Sequence, residues 1–386
     1  MSEKRRDNKG RLLKDGESQR KDGRYQYRYT DIDGTRRCIY NMDLHQLRRD
    51  EEEIRNALRL DINYHDGLSP LHTLVERVFR LKRTWTDSTR ETMEHFWTIL
   101  QKSQLCETPI NKVKVSDIKE YLIALHDDGY AYGSVATIFT LLKLSFQLAI
   151  EDNAIIRDPT NFSLSDVIKN DTPPVKALTP EQEHSLLDYL RKDKIGRRHL
   201  DMVIILLGTG LRISEFAALT VDDIDFENNM IHVNKQLKKL KERTIIDRPK
   251  TPNAVRKIPM TKAVRESLTH LVEERRKNPN TCMIDGVCGF LSVTRNGRPR
   301  CHSEYDDAMR AFMVRYNAQT DIPIERCTPH VLRHTYCTRC IAAGIDIKSA
   351  QYLMGHADVS TTLNIYADIV FDKIIASVDL LDQKSS

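Results

Sequence analysis

Between Arg157 and Lys176 the chain is rich in Asn, Asp, Ser and Thr and carries Pro159, Pro173 and Pro174. It shows neither the 3.6-residue period of a helix nor the two-residue alternation of a strand. Such a stretch does not run through a packed core, so it divides the chain into separately folded parts. The length of 386 residues agrees, since it is a prior for about two to three domains. The boundaries expected on this reading are a small unit over 1–65, a helical unit over 66–157, a linker over 158–176, and a third unit over 177–386.

The first part is punctuated by Asp22-Gly23 and Asp33-Gly34, and Asp-Gly is a strong hairpin signal. The runs between these turns, Gly16–Arg20, Arg24–Thr30 and Arg36–Tyr40, are the expected strands. Tyr25, Tyr27 and Tyr29 alternate with Gln26 and Arg28, so aromatics line one face of a sheet and polar groups the other. A charged helix from about Leu44 to Leu60 follows. Residues 1–30 hold ten Lys or Arg against five acids, a distribution that would draw this segment to a phosphate backbone in a salt-dependent way. Two readings stand side by side: an ordinary sheet with a tyrosine core, or a β-ribbon that enters the major groove. On the second reading Arg20, Lys21, Arg24, Arg28, Arg36 and Arg37 are the candidate contacts.

The second part reads as helix throughout, over Pro70–Lys82, Asp87–Leu100, Ser116–His126 and Tyr132–Glu151, with Asp87 and Ser116 as N-caps. Val135, Ile138, Phe139, Leu142, Phe146 and Leu148 form a core face. Lys82, Arg83, Arg90 and Lys143 are candidate phosphate contacts, although charges on helices usually face only water. The third part opens with Thr179-Pro180-Glu181-Gln182, a cap followed by proline at the first turn. It is mainly helical, with a β-ribbon that Met230–Val233 begins and Ala254–Pro259 ends.

Four motifs in the third part carry chemistry. They are Thr209-Gly210-Leu211-Arg212-Ile213-Ser214-Glu215, then Thr328-Pro329-His330-Val331-Leu332-Arg333-His334-Thr335, then Leu353-Met354-Gly355-His356, and last Asn364-Ile365-Tyr366. Arg212 follows a glycine turn and precedes a helix, where backbone N–H groups also favour an anion. No Gly-Lys-Ser/Thr follows those glycines, so this is not a nucleotide P-loop. Glu215, one turn on, can orient Arg212. His330 and Arg333 share a helix face. Arginine keeps its proton at any ordinary pH and its planar fork matches phosphate oxygens.

Taken in order, these residues resemble the tyrosine recombinase family, most closely the integrases of conjugative transposons. The resemblance implies a mainly α, multidomain chain with small β elements. Its parts would be an N-terminal three-stranded sheet plus helix that binds arm-type DNA, a four-helix core-binding domain, and a mixed α/β catalytic domain. It implies that Arg212, His330, Arg333 and His356 clamp a scissile phosphate, with Glu215 in support and His334 buttressing the helix. Tyr366 would attack phosphorus to give a 3′-phosphotyrosyl bond. Only about one tyrosine in a thousand is ionised at neutral pH, so nearby guanidiniums would have to favour the phenolate. A hairpin lysine would protonate the leaving 5′ oxygen. Lys250 is the choice, with Lys235, Lys238, Lys239, Lys241 and Lys257 as competitors.

The same resemblance implies double-stranded DNA as partner, at core and arm sites, and four protomers acting together. An excisionase or a host DNA-bending protein would assist. One phosphodiester is exchanged for another, so neither ATP nor another cofactor is expected, and no acidic cluster suggests a two-metal nuclease. A type IB topoisomerase shares the chemistry, and a DNA-binding regulator that has lost activity is the reading from another class. No run of eighteen apolar residues and no apolar leader is present, which points to a cytoplasmic protein without a membrane partner. The eight cysteines are scattered. Cys337 and Cys340, a C-x-x-C on an expected helix, read as packing residues.

Overall fold

The computed structural model describes residues 5–241, 243–247, 255–279, 282–355 and 363. The chain divides into two compact units, Met1–Pro173 and Pro174–Ser386.

The first unit opens with an antiparallel meander, β1 (Glu17–Gln19), β2 (Tyr25–Thr30) and β3 (Arg36–Asn41), in the order β1-β2-β3. Gly23 and Gly34 sit in its two turns at φ +85° and +78°, a conformation that glycine adopts without steric cost. The register pairs Glu17 with Tyr27 and Tyr27 with Ile39. Tyr25, Tyr27 and Tyr29 therefore face one side, where Leu44, Leu47 and Ile54 of α1 (Leu44–Arg59) complete a small core. Asp43 caps α1 by accepting from the His45 N–H at 2.9 Å. The other face carries Ser18, Gln26, Arg28, Thr30, Arg36, Cys38 and Tyr40.

After the single turn α2 (Tyr64–Gly67) come α3 (Leu71–Leu81), α4 (Asp87–Leu100), α5 (Val115–Asp127) and α6 (Tyr132–Glu151). Two caps differ from the sequence reading. Thr86, not Asp87, caps α4 through a 3.2 Å bond from the Thr89 N–H. Helix α5 starts before Ser116, and Asp117 reaches back to accept from the Lys114 N–H at 2.9 Å. Helix α6 is long and apolar enough to cross a membrane by length and composition alone. Here its Val135, Ile138, Phe139, Leu141, Leu142 and Phe146 are buried against α3, α4 and α5. Residues 158–168, read from sequence as linker, pack onto this core. Phe162 stacks on Phe139 at 4.7 Å, and Leu164 and Ile168 are buried.

The second unit begins with α7 (Pro180–Lys192), held by a reciprocal cap. The Gln182 N–H donates to Thr179 Oγ1 at 3.2 Å, and the Thr179 N–H donates to Gln182 Oε1 at 3.1 Å. Helices α8 (Leu200–Thr209) and α9 (Ile213–Ala218) flank a turn at Gly210, φ +63°. Strands β4 (Ile224–Asp225), β5 (Met230–Val233) and β8 (Arg256–Pro259) form one sheet in the order β4-β5-β8. Between β5 and β8 the chain makes a separate hairpin, β6 (Gln236–Lys239) with β7 (Thr244–Asp247). Helices α10 (Lys262–Lys277), α11 (His302–Asn317), α12 (Pro329–Ala342) and α13 (Ile347–Met354) complete the unit. Thr328 caps α12, with Pro329 at its first position. The buried apolar residues of α8, α10 and α11, together with Val331 and Leu332 of α12, join one apolar core. Cys337 and Cys340 are buried free thiols.

Candidate active site

Arginines from three elements meet around the C-terminal turn of α13. Arg256 Nε donates to the Leu353 carbonyl at 2.8 Å, Arg333 Nη2 to that of Met354 at 2.5 Å, and Arg212 Nη2 to that of Gly355 at 2.7 Å. Three consecutive carbonyls thus each hold one guanidinium, where the helix dipole favours positive charge. Gly355 ends the helix at φ +60°. Its missing side chain is required, since a Cβ there would stand 2.8 Å from Arg256 Nη1. The second guanidinium also returns to the loop of the first, because Arg333 Nη1 donates to the Gly210 carbonyl at 2.6 Å.

Glu215 supplies the counter-charge. Its Oε1 accepts from Arg212 Nη1 at 2.8 Å and from Arg256 Nη1 at 3.0 Å. Its Oε2 accepts from the Arg212 backbone N–H and from Arg256 Nη2, both at 2.8 Å. Burial alone would push this carboxyl up. The Arg256 and Arg212 guanidiniums more than offset that and hold its pKa down at about 2. Arg333 is 4% exposed, and burial together with the neighbouring Arg212 presses its pKa down to about 9. It therefore stays charged at neutral pH. The Arg212 side chain is 37% exposed and is the more open of the two.

His330 is exposed and lines a groove of about 640 Å³ together with Ile213, Met309, Met313, Arg326 and Cys327. Partial burial and the charges of Arg333, Arg326 and Arg212 lower its pKa below the usual histidine value. His334 is half-buried on the same helix. Thr335, next to it, is fully buried and accepts from the Leu178 N–H at 2.9 Å, which ties α12 to the chain entering α7.

Lys250, His356 and Tyr366 lie outside the described residues. Of the competing lysines, Lys235 is bound to Asp223 at 2.5 Å and its side chain is 12% exposed. Lys238 pairs with Asp247. Lys239, Lys241 and Lys257 are exposed. Arg256 was absent from the sequence reading. The signal available was strand alternation: Arg256 stands two residues before the buried Ile258 in β8, on the face that turns inward.

The candidate DNA contacts fall into distinct settings. Arg28 and Arg36 project from the sheet face away from α1 and are exposed. Arg20 and Arg24 lie over the Tyr40 ring of that face, at 5.4 and 5.7 Å. Arg24 is also paired to Asp22. Lys21 is exposed in the turn. Arg37 differs, because its side chain points to the α1 side and pairs with buried Asp31 at 3.1 Å and with Asp33 at 3.0 Å. Lys82 and Arg83 are exposed. Arg90 donates to the Phe79 carbonyl at the end of α3, at 3.1 Å. Lys143 lies over the Phe139 ring at 4.5 Å.

Comparison with known proteins gives a consistent picture. The profile of the phage integrase family matches residues 176–372, and that of the DNA binding domain of Tn916 integrase matches residues 1–60. The chain is 37% identical to the transposase from transposon Tn916 of Enterococcus faecalis over 400 aligned residues, covering 100% of this chain and 98% of that protein. Its identity to the transposase from transposon Tn1545 of Streptococcus pneumoniae is the same, with the same coverage. The structure of the Tn1549 transposon integrase in complex with a circular intermediate DNA superposes with a TM-score of 0.76 at 37% identity. It covers 81% of this chain and 99% of that one.

Proposed function

The chain belongs to the phage integrase family, and from that premise we propose that it cuts and rejoins DNA at the ends of a conjugative transposon through Tyr366. It is a tyrosine-type site-specific recombinase, an integrase. The observation that carries the site assignment is the convergence of Arg212 and Arg333. Arg333 donates to the Gly210 carbonyl, two residues before Arg212, and both arginines grip the turn that leads to His356.

The proposed chemistry follows from the residue types. Arg212 and Arg333, with His330 and His356, hold the non-bridging oxygens of the scissile phosphate and spread the charge of its transition state. The Tyr366 oxygen attacks phosphorus as its proton passes to a base, a role suited to His330, whose lowered pKa favours the neutral, accepting ring. The bond to the 5′ oxygen breaks, and Lys250 gives that oxygen a proton. The 3′-phosphotyrosyl bond keeps the energy of the original linkage. A 5′ hydroxyl from the partner duplex then attacks it and restores the backbone, releasing Tyr366. Glu215 holds Arg212 in place throughout.

Residues 1–65 are proposed to bind arm-type DNA, 66–157 to embrace the core site, and 177–386 to perform the chemistry, as a tetramer in the cytoplasm. Support for the first assignment comes from the basic outer face of the β1–β3 sheet and from the profile match over residues 1–60. The deciding experiment supplies the protein with two DNA molecules bearing transposon ends and follows strand exchange. Recombinant joints that require both ends support an integrase. Relaxation of a plasmid without end sequences, and without joints, would favour a topoisomerase instead.

A further inference from the structure

We propose that Arg256 is a positioning residue for strand cleavage, fixing Glu215 and the C-terminal turn of α13 where Arg212 and Arg333 can hold a phosphodiester. The inference rests on the reading above of those two arginines as the phosphate clamp.

The geometry carries it. The Arg256 side chain is 0% exposed, so it does not meet DNA itself. All three of its nitrogens are engaged, two with the Glu215 carboxylate and one with the Leu353 carbonyl. A planar fork can join a carboxylate and a carbonyl at once, whereas an ammonium is a point charge and cannot reproduce that plane. Gly355 has no side chain where Arg256 lies. Arg212, on the other side of Glu215, then donates to the Gly355 carbonyl itself. Arg256 thus sets the position of both groups that orient Arg212.

Stability alone is a poor reason for this residue. A buried ion pair is often replaceable by apolar side chains at no loss, and the charge of Arg256 disfavours the charged form of Arg333 nearby. A third cation beside two that already repel is costly unless it places them. Glu215 is faced by Arg212 next to α9, by Arg256 from β8 and by Arg333 from α12.

The test uses the full chain, a suicide DNA substrate carrying a transposon end, and the variants Arg256→Lys and Arg256→Met. DNA affinity, thermal melting and the first-order rate of covalent complex formation at saturating DNA are measured for each. Both variants should bind DNA as wild type does while forming the complex about a hundredfold more slowly, the cost of slight misplacement at a reacting centre. Arg256→Met should also gain an acid limb in its rate profile, because Glu215 loses its strongest partner and takes up a proton at higher pH. The double variant Arg256→Met/Glu215→Gln should lack that limb. Wild-type rates in Arg256→Lys overturn the proposal, and so does an Arg256→Met that folds and shows no new acid limb. If Arg256→Met does not fold, the rate of Arg256→Lys decides. A wild-type protein that forms no covalent complex overturns the functional reading and this proposal with it, whereas an active wild type beside an equally active Arg256→Lys overturns this proposal alone.

Discussion

Arg212 Nη2 donates to the Gly355 carbonyl at 2.7 Å. The first arginine of the site is thereby bonded to the residue just before His356. The loop after α8 and the turn after α13 form one mechanical unit, and Glu215 is its counter-charge.

The carboxylate in that unit should be visible in acid unfolding. The folded-state pKa of Glu215 is depressed to about 2, so its contribution is fully present above the ordinary carboxyl value near 4.3. It is lost as pH falls through that value toward 2. Linkage puts the amount at roughly 3 kcal/mol. Glu215→Gln should be less stable than wild type at neutral pH by roughly 3–5 kcal/mol, as for a broken buried pair. The gap should close toward pH 2, as read by denaturant unfolding across pH.

His330 should titrate below a free histidine. Its pKa is lowered by partial burial and by Arg333, Arg326 and Arg212, so protonation is harder in the folded state. The associated stability is full above pH about 6.5 and falls as pH drops through the lowered value. Nuclear magnetic resonance of its ring protons should show this, and Arg326→Gln should move the midpoint upward. An unchanged midpoint would remove Arg326 from the account.

Much of this was legible in sequence, and the exceptions have physical causes. The Asp-Gly turns, the Thr179 cap and the arginine ahead of α9 each follow local rules that tertiary context does not override. Arg256 stayed hidden because a charge in a short strand reads as a surface residue, and only its partners 41 and 97 positions away reveal its burial. Residues 158–168 read as linker because Phe162, Leu164 and Ile168 are too sparse to make a period, yet each finds a place on the helical core. The cap of α5 was misplaced because its oxygen comes from Asp117 inside the helix.

The crossing of α8 and α10 permits no added atom. A Cβ at Gly208 would stand 2.3 Å from Val264 Cγ2. Gly208→Ala should cost roughly 1–3 kcal/mol through overpacking. Val264→Ala in the same chain should return part of that loss, which a double-mutant cycle on melting would measure.

The N-terminal sheet separates binding from folding. Arg28→Ala and Arg36→Ala, on the outer face, should weaken DNA binding and each reduce the slope of affinity with salt by about one contact. Arg37→Ala should instead lower the melting temperature, because it strands the buried Asp31. Equal salt slopes for all three variants would contradict the face assignment.

The most direct test of the whole account is to trap the protein on a suicide substrate, digest the complex and identify the amino acid joined to the DNA. The account predicts a 3′-phosphate linked to Tyr366 and no adduct from Tyr366→Phe. A linkage to another residue, or an adduct that survives in Tyr366→Phe, would contradict it.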